Sequence, residues 1–267
     1  MMGEKPQGDS QTGHLLRLGL TEYQEAVEIQ NTLHQARVAE TIGDTLILTE
    51  HVRVYTLGRT ARAEHVGDGW ERKMVNAIPV RVSDRGGSVT YHGPGQLVGY
   101  PILRLKRYCP GPKIYVGRLE EVLIKALGLL GLDGCRRAGL PGVWVEDRKI
   151  AALGVHIARG VTRHGFALNV MNELEPFSAI APCGLAGLRV TSVAVETGAA
   201  ATIESAERAI IQVFQEVFGL VLCEEPPAQF FSQLNLSDLS GPSPLPNTEA
   251  SNGFARYDSL PSAELSH

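Results

Sequence analysis

The chain has 267 residues, 43% of them hydrophobic, and a formal net charge of −4, which is enough apolar content for a substantial core in one large domain or two small ones. Its lysines and arginines are scattered rather than massed, which argues against nucleic acid as a partner. No apolar run approaches the roughly 20 residues that span a bilayer, and MMGEKPQGDS lacks the features of a signal or transit peptide, so a cytoplasmic protein without membrane contact is expected.

Met1 to Gly13 is polar and reads as a flexible extension, and Pro226 to His267 is rich in Ser, Pro, Asn and acids and reads as a disordered tail. The expected folded domain is 14–225. Within it, His14 to Leu20 reads as a strand, and Tyr23, Ala26, Val27, Leu33 and Val38 are spaced for a helix from Thr21 to Glu40 with Thr21 as N-cap. Short β-branched runs follow at Thr45 to Leu48, Arg53 to Leu57 and Ile78 to Val82, then at Ser88 to Tyr91 and Gln96 to Pro101. Gly111 and Pro112 introduce a helix with the stripe Val116, Leu119, Val122, Leu123, Ala126, Leu127 and Leu130. Val143 to Val145 and Ile150 to Ile157 form a hairpin around Glu146-Asp147-Arg148, and Phe166 to Val170 is a further strand. A last helix, Ile203 to Phe218, is stopped by Gly219, and Leu220 to Leu222 reads as an edge strand. Runs of strands with few helices predict an α+β fold with a mixed or antiparallel sheet flanked by helices. No G-x-G-x-x-G after a strand and no G-x-x-x-x-G-K-[ST] occurs.

Cys109, Cys135, Cys183 and Cys223 are far apart and form no C-x-x-C, so neither a zinc knuckle nor a disulfide framework is suggested. Cys183 differs from the others because it lies in SAIAPCGLAGLRVTS, too irregular for a helix or strand, where Gly184 allows a sharp turn beneath the sulfur. A structural cysteine sits inside an element as a small hydrophobe; the P-C-G context points instead to a nucleophile. A thiol near pKa 8.5 needs a neighbouring base or cation, and His92, His156, His164 and Lys149 are candidates. Lys149 opens KIAALGVHI at a hairpin tip, where an exposed charge is the plainer reading. Carried toward Cys183, it would be partly desolvated, its pKa would fall from roughly 10.4, and the pair would share one proton.

RGGSVTYHGPGQLVGYP, KIAALGVHI, HGFALNV and PCGLAGLRVTS, in that order, closely resemble the signature segments of the lipoyl(octanoyl)transferase family. The resemblance implies the catalytic-domain fold shared by biotin and lipoate protein ligases. It also implies an activity: an octanoyl group is taken from acyl carrier protein, held as a thioester, and passed to a lysine of a lipoyl domain, as in 2-oxoacid dehydrogenase complexes or the glycine cleavage H protein. On this resemblance Cys183 is the nucleophile and Lys149 the group that activates it. Acyl contacts fall on Arg85, Gly86, Gly87, Ser88, Val89, Thr90, Tyr91 and His92, on Ala152, Leu153 and Gly154, and on Gly165, Phe166 and Ala167. Gly86, Gly87, Gly93 and Gly95 would let the backbone form one wall of a narrow acyl slot.

Thioester exchange is close to isoenergetic, so it needs a thiolate, an oriented carbonyl and oxyanion donors, with no metal, nucleotide or other cofactor. Burying six methylenes of an octanoyl chain at about 0.8 kcal/mol each gives roughly 5 kcal/mol for chain selection. The rival readings are an ATP-dependent lipoate or biotin ligase, which gives Cys183 no role, and a non-catalytic acyl-binding protein. A monomer is expected, with Arg136-Arg137, Arg72-Lys73 or Arg59 with Arg62 facing the acidic protein partners.

Overall fold

Strand β1 (Gln11–Thr21) opens the folded region, beginning at Gln11 rather than at His14. The computed structural model describes residues 11–66, 69–181, 188–198 and 201–234, all within the unit Met1–Leu234. Helix α1 (Tyr23–Val38) follows, with Glu22 and not Thr21 at its N-cap position. The Thr21 hydroxyl turns back to the Leu18 and Gly19 carbonyls instead. The buried face of α1 includes the polar Gln30, whose Oε1 accepts from the His164 N–H at 2.8 Å, and Arg37, held by Asp44.

Strands β2 (Thr45–His51) and β3 (Val54–Leu57), helix α2 (Gly69–Arg72), and strands β4 (Met74–Val75), β5 (Ile78–Val82), β6 (Val89–His92) and β7 (Gln96–Ile102) come next. Helix α3 (Pro112–Leu129) has proline in its first turn, where the missing N–H has no intrahelical partner to lose. It leads to β8 (Cys135–Arg137), β9 (Leu140–Val145), β10 (Arg148–Ala158) and β11 (Val161–Asn169). The chain ends in α4 (Val193–Thr197), α5 (Ile203–Phe218), β12 (Leu220–Glu224) and α6 (Pro227–Gln233). As expected, α5 stops at Gly219, whose φ of +62° is the left-handed cap that glycine adopts without strain.

The larger sheet has the order β12-β1-β2-β7-β11-β10-β9-β8, with β1 parallel to both β12 and β2 and the remaining pairs antiparallel. The smaller sheet has the order β4-β5-β3-β6. The fold is therefore α+β with mixed sheets flanked by helices. One face of the large sheet packs Leu46, Leu97, Phe166 and Leu168 against α3 and α5 through Leu119, Leu123, Ile210 and Phe214. The other face carries α1 over Ile47, Val98 and Tyr100. Further along that face the smaller sheet approaches β10, through a Gly86 N–H to Val155 O bond of 3.0 Å.

Three departures from expectation have physical causes. Strand β8 is exposed at all three positions and shows no alternation to read. Strand β11 begins at Val161 rather than Phe166, because Arg163 and His164 are buried on ion and hydrogen-bond partners and not on apolar ones. Helix α6 lies past the boundary expected at Glu225 and buries Phe230 beside Leu16 and Ile47.

Asp44 holds the α1–β2 corner. Its carboxylate accepts from Arg37 Nε and Tyr108 Oη, both at 2.6 Å, and from the Arg104 N–H at 2.8 Å. Arg37 is 2% exposed, so Asp44→Ala strands a buried charge. The expected loss is about 3–5 kcal/mol, readable by urea unfolding.

Candidate active site

Side chains on the inner face of β11 and β10 shrink toward the hairpin that joins them. The register sets Val98 beside Ala167 and Ala167 beside Ala152, and the next pair toward the hairpin end is Gly165 beside Gly154. Small residues facing one way leave a channel above the strands, and alternation sends Leu153, Phe166 and Leu168 mainly to the opposite core. The cleft encloses about 770 Å³ including its open mouth. Its far wall comes from the smaller sheet and the Arg85–Ser88 turn, with Phe177, Leu188 and Val190 closing the side near Lys149.

Of the expected acyl-contact residues, Arg85, Gly87, Ser88, Val89, Thr90, His92, Ala152, Leu153, Gly154, Gly165, Phe166 and Ala167 all line this cleft. Gly86 and Tyr91 do not. Gly86 has its N–H on Val155 O at the end of the cleft. Tyr91 alternates away from Thr90 and His92 into the core of the smaller sheet, 5.5 Å from both Tyr55 and Phe177. Gly93 and Gly95 are not slot wall either: a Cβ at Gly93 would strike the Tyr91 ring, and one at Gly95 would lie 2.7 Å from the Asn172 nitrogen. Packing explains those two glycines.

Lys149 lies at one end of the cleft and is 9% exposed, against the plainer reading of a solvated hairpin charge. Its ammonium stands 5.7 Å from the centre of the Trp144 ring, and Arg137 lies over the same indole at 5.0 Å. The Lys149 N–H donates to Arg189 O, and its carbonyl accepts from Thr191 N–H, each at 2.9 Å. The chain that follows the Cys183 segment is thereby bridged to the lysine's own backbone. On the other side, Ala181 N–H donates to His65 O at 2.9 Å. Cys183 itself lies outside the described residues.

Gly142 sits beneath the lysine. A Cβ there would come 2.4 Å from Lys149 Cε, and its φ is +128°. The same Cβ would lie 2.7 Å from the Ala151 carbonyl oxygen, so Gly142→Ala should both strain the backbone and push the ammonium aside, lowering the unfolding midpoint and lowering kcat of the folded protein by roughly tenfold or more; an unchanged kcat would show that the lysine's position does not matter.

Sequence reading missed Tyr23, Val98, Tyr100, Asn169, Phe177, Leu188 and Val190, all of which line the cleft. Only Asn169 left a signal, as the one polar residue in FALNV. It carries part of a buried polar chain. His92 Nδ1–H donates to Gln96 Oε1 at 2.7 Å, Gln96 Nε2 donates to Asn169 Oδ1 at 2.8 Å, and Asn169 Nδ2 donates to Thr191 O at 2.9 Å. Burial pushes the His92 and His164 pKa values down, so both rings are neutral at pH 7. His156 is turned onto Asp84 and does not line the cleft, whereas Lys149 does.

His51, behind His92, donates from Nδ1 to Thr21 O at 2.9 Å and accepts the Tyr100 hydroxyl at 2.7 Å. Burial lowers its pKa from 6.5 to about 4. The unfolded chain therefore takes up a proton before the native one does. Stability is complete above about pH 6.5 and falls as pH drops toward 4, by roughly 3 kcal/mol from this residue. Urea unfolding at pH 7 and pH 4 measures it, and a flat profile would contradict the neutral buried ring.

Among the described residues, no group of three or more His, Cys, Asp or Glu side chains is placed to hold a metal ion, and no helix is long and apolar enough to cross a membrane.

Residues 22–215 match the family model of the lipoyl protein ligase A/B catalytic domain. An octanoyltransferase of Koribacter versatilis is 44% identical over 216 residues, covering 79% of this chain and 84% of its own. One of Chloroflexus aurantiacus is 48% identical over 207 residues, covering 76% and 92%. The archaeal bipartite lipoate protein ligase of Thermoplasma acidophilum superposes with a TM-score of 0.61 at 20% identity, over 81% of this chain and 87% of that one, a likeness of fold. With the family model matched over most of its length and these identities to octanoyltransferases, the chain belongs to the lipoyl protein ligase A/B catalytic-domain family, among its octanoyltransferases, and is an acyltransferase.

Proposed function

We propose that the enzyme moves an octanoyl group from acyl carrier protein to a lysine of a lipoyl domain by way of a thioester on Cys183. The observation that carries this reading is the buried Lys149 at the end of an apolar cleft, with its backbone bonded to Arg189 and Thr191, just beyond the Cys183 segment. The resting pair is a thiolate and an ammonium. The Cys183 sulfur attacks the donor's thioester carbonyl, the carrier's sulfur leaves, and it takes the proton from Lys149. Neutral Lys149 then accepts a proton from the attacking lipoyl-domain amine as the new amide forms. The C–S bond to Cys183 breaks, and the thiolate–ammonium pair returns.

The cleft supplies selection by burial, its floor being Ala152, Gly154, Gly165 and Ala167. Of the basic residues considered for docking, Arg137 lies over Trp144, the indole next to the Lys149 ammonium, and Arg59 donates its N–H to the carbonyl of the cleft residue Arg85. Arg136 is engaged by Glu120 at 2.9 Å, which weakens its candidacy.

The discriminating experiment offers octanoyl carrier protein without nucleotide in one tube, and free octanoate with ATP in another, each with a lipoyl domain. Modification only in the first is expected. Modification only in the second, with acyl-AMP, would establish a ligase instead.

A further inference from the structure

The cleft has a built end. A strap, Asp84 to Gly87, crosses β10, and at the crossing the two backbones touch: Gly86 N–H donates to Val155 O at 3.0 Å, and a Cβ at Gly154 would lie 2.7 Å from Gly86 O. A chain laid along β10 from Lys149 passes Ala152 and reaches this crossing, at Gly154 and Val155, roughly 17–20 Å on at about 3.3 Å per residue.

The strap is pinned from two sides. Toward the smaller sheet, the Arg85 guanidinium donates to Thr56 O at 2.6 Å and to Thr56 Oγ1 at 2.8 and 3.0 Å. Toward the large sheet, the Asp84 carboxylate is held by His164 Nε2 at 2.7 Å and by the Arg163 guanidinium, while His156 Nδ1–H donates to the Asp84 carbonyl at 3.0 Å with a carboxylate oxygen 2.9 Å away. Arg163 and His164 are neighbours in sequence, and in a regular strand neighbours point to opposite faces. Both reach Asp84 because His164 has a φ of +54°, a left-handed conformation that costs a non-glycine residue about 1–2 kcal/mol. The strand accepts that strain and brings a second partner to one carboxylate. His164 is 2% exposed, lines the cleft, and has no hydrogen-bond partner on Nδ1.

We propose that the clamp on Asp84 sets acyl chain length: by holding the strap against Gly154 it fixes where the slot ends, so that an octanoyl chain fits and longer chains meet the strap. Asp84, His156 and Arg163 are positioning residues in this scheme, acting through the strap rather than on the reacting atoms. The inference rests on octanoyl transfer at this cleft.

The test measures kcat/KM of the full chain with octanoyl, decanoyl and dodecanoyl carrier protein, for wild type, Asp84→Ala and the milder His156→Ala. Freeing the strap should raise the decanoyl-to-octanoyl ratio by at least about tenfold in Asp84→Ala, the low end of what one misfitting methylene is worth in an apolar pocket, with a smaller rise in His156→Ala. Strap contacts that only support the fold would lower every chain length by the same factor, and an unchanged ratio in folded protein overturns the gauge. Should Asp84→Ala not fold, the ratio in His156→Ala decides by the same criterion. A wild type that transfers no octanoyl group would overturn the underlying reaction, and is seen separately in the wild-type measurements.

Discussion

Cys183→Ser should stop transfer, lowering kcat/KM on the order of a thousandfold or more, while the unfolding midpoint stays where it was. Serine keeps the shape of the side chain but not its acidity. An alkoxide is far harder to generate than a thiolate, and Lys149 cannot make up that difference. The comparison of stability with rate is what gives the result meaning, since the segment around Cys183 is joined to the body at Ala181 on His65 and at Arg189 on Lys149. A serine variant that transfers at the wild-type rate would leave the cleft as a binding site whose chemistry lies elsewhere.

Lys149→Ala should lower transfer by about 10²–10⁴-fold, the range supplied by a positioned proton-transfer group. It should also slow alkylation of Cys183 near pH 7, with partial recovery at high pH. The sign follows from charge: removing a nearby ammonium raises the thiol's pKa, so less thiolate is present at neutral pH and the deficit closes as pH rises. Lys149→Arg separates the two duties of the amine. Guanidinium still favours the thiolate but cannot be deprotonated, so acyl-enzyme should form and then persist instead of passing to the lipoyl domain. An alkylation profile unaltered by Lys149→Ala would remove the lysine from the activation of the sulfur.

Much of this site was legible in the sequence because its floor is made of residues whose smallness is the signal. Ala152, Gly154, Gly165 and Ala167 sit two apart on adjacent strands, and a strand interrupted by glycine invites a close approach. Lys149 could be named from the sequence as a candidate, but its burial could not, because that depends on Trp144, Gly142 and the 189–191 segment, none of them adjacent in sequence. The glycines of HGPGQ misled for a related reason. Gly93 is small to admit the Tyr91 ring and Gly95 to admit the Asn172 backbone, and a sequence does not say which neighbour a glycine is making room for. The helices were placed well where apolar spacing was regular, as in α3 and α5. Strand β11 was truncated because buried Arg163 and His164 look like loop residues until Asp84, distant in sequence, is brought beside them.

Acylation of one sulfur by one donor is the event on which both the rate predictions and the chain-length gauge depend. Mixing the protein with octanoyl carrier protein alone, taking the intact mass, and digesting to locate the adduct observes that event directly. The mass should rise by a single octanoyl group, the group should lie on the peptide containing Cys183, and it should leave on addition of a lipoyl domain. An unshifted mass, or an adduct on Cys109, Cys135 or Cys223, would contradict a covalent intermediate at this position.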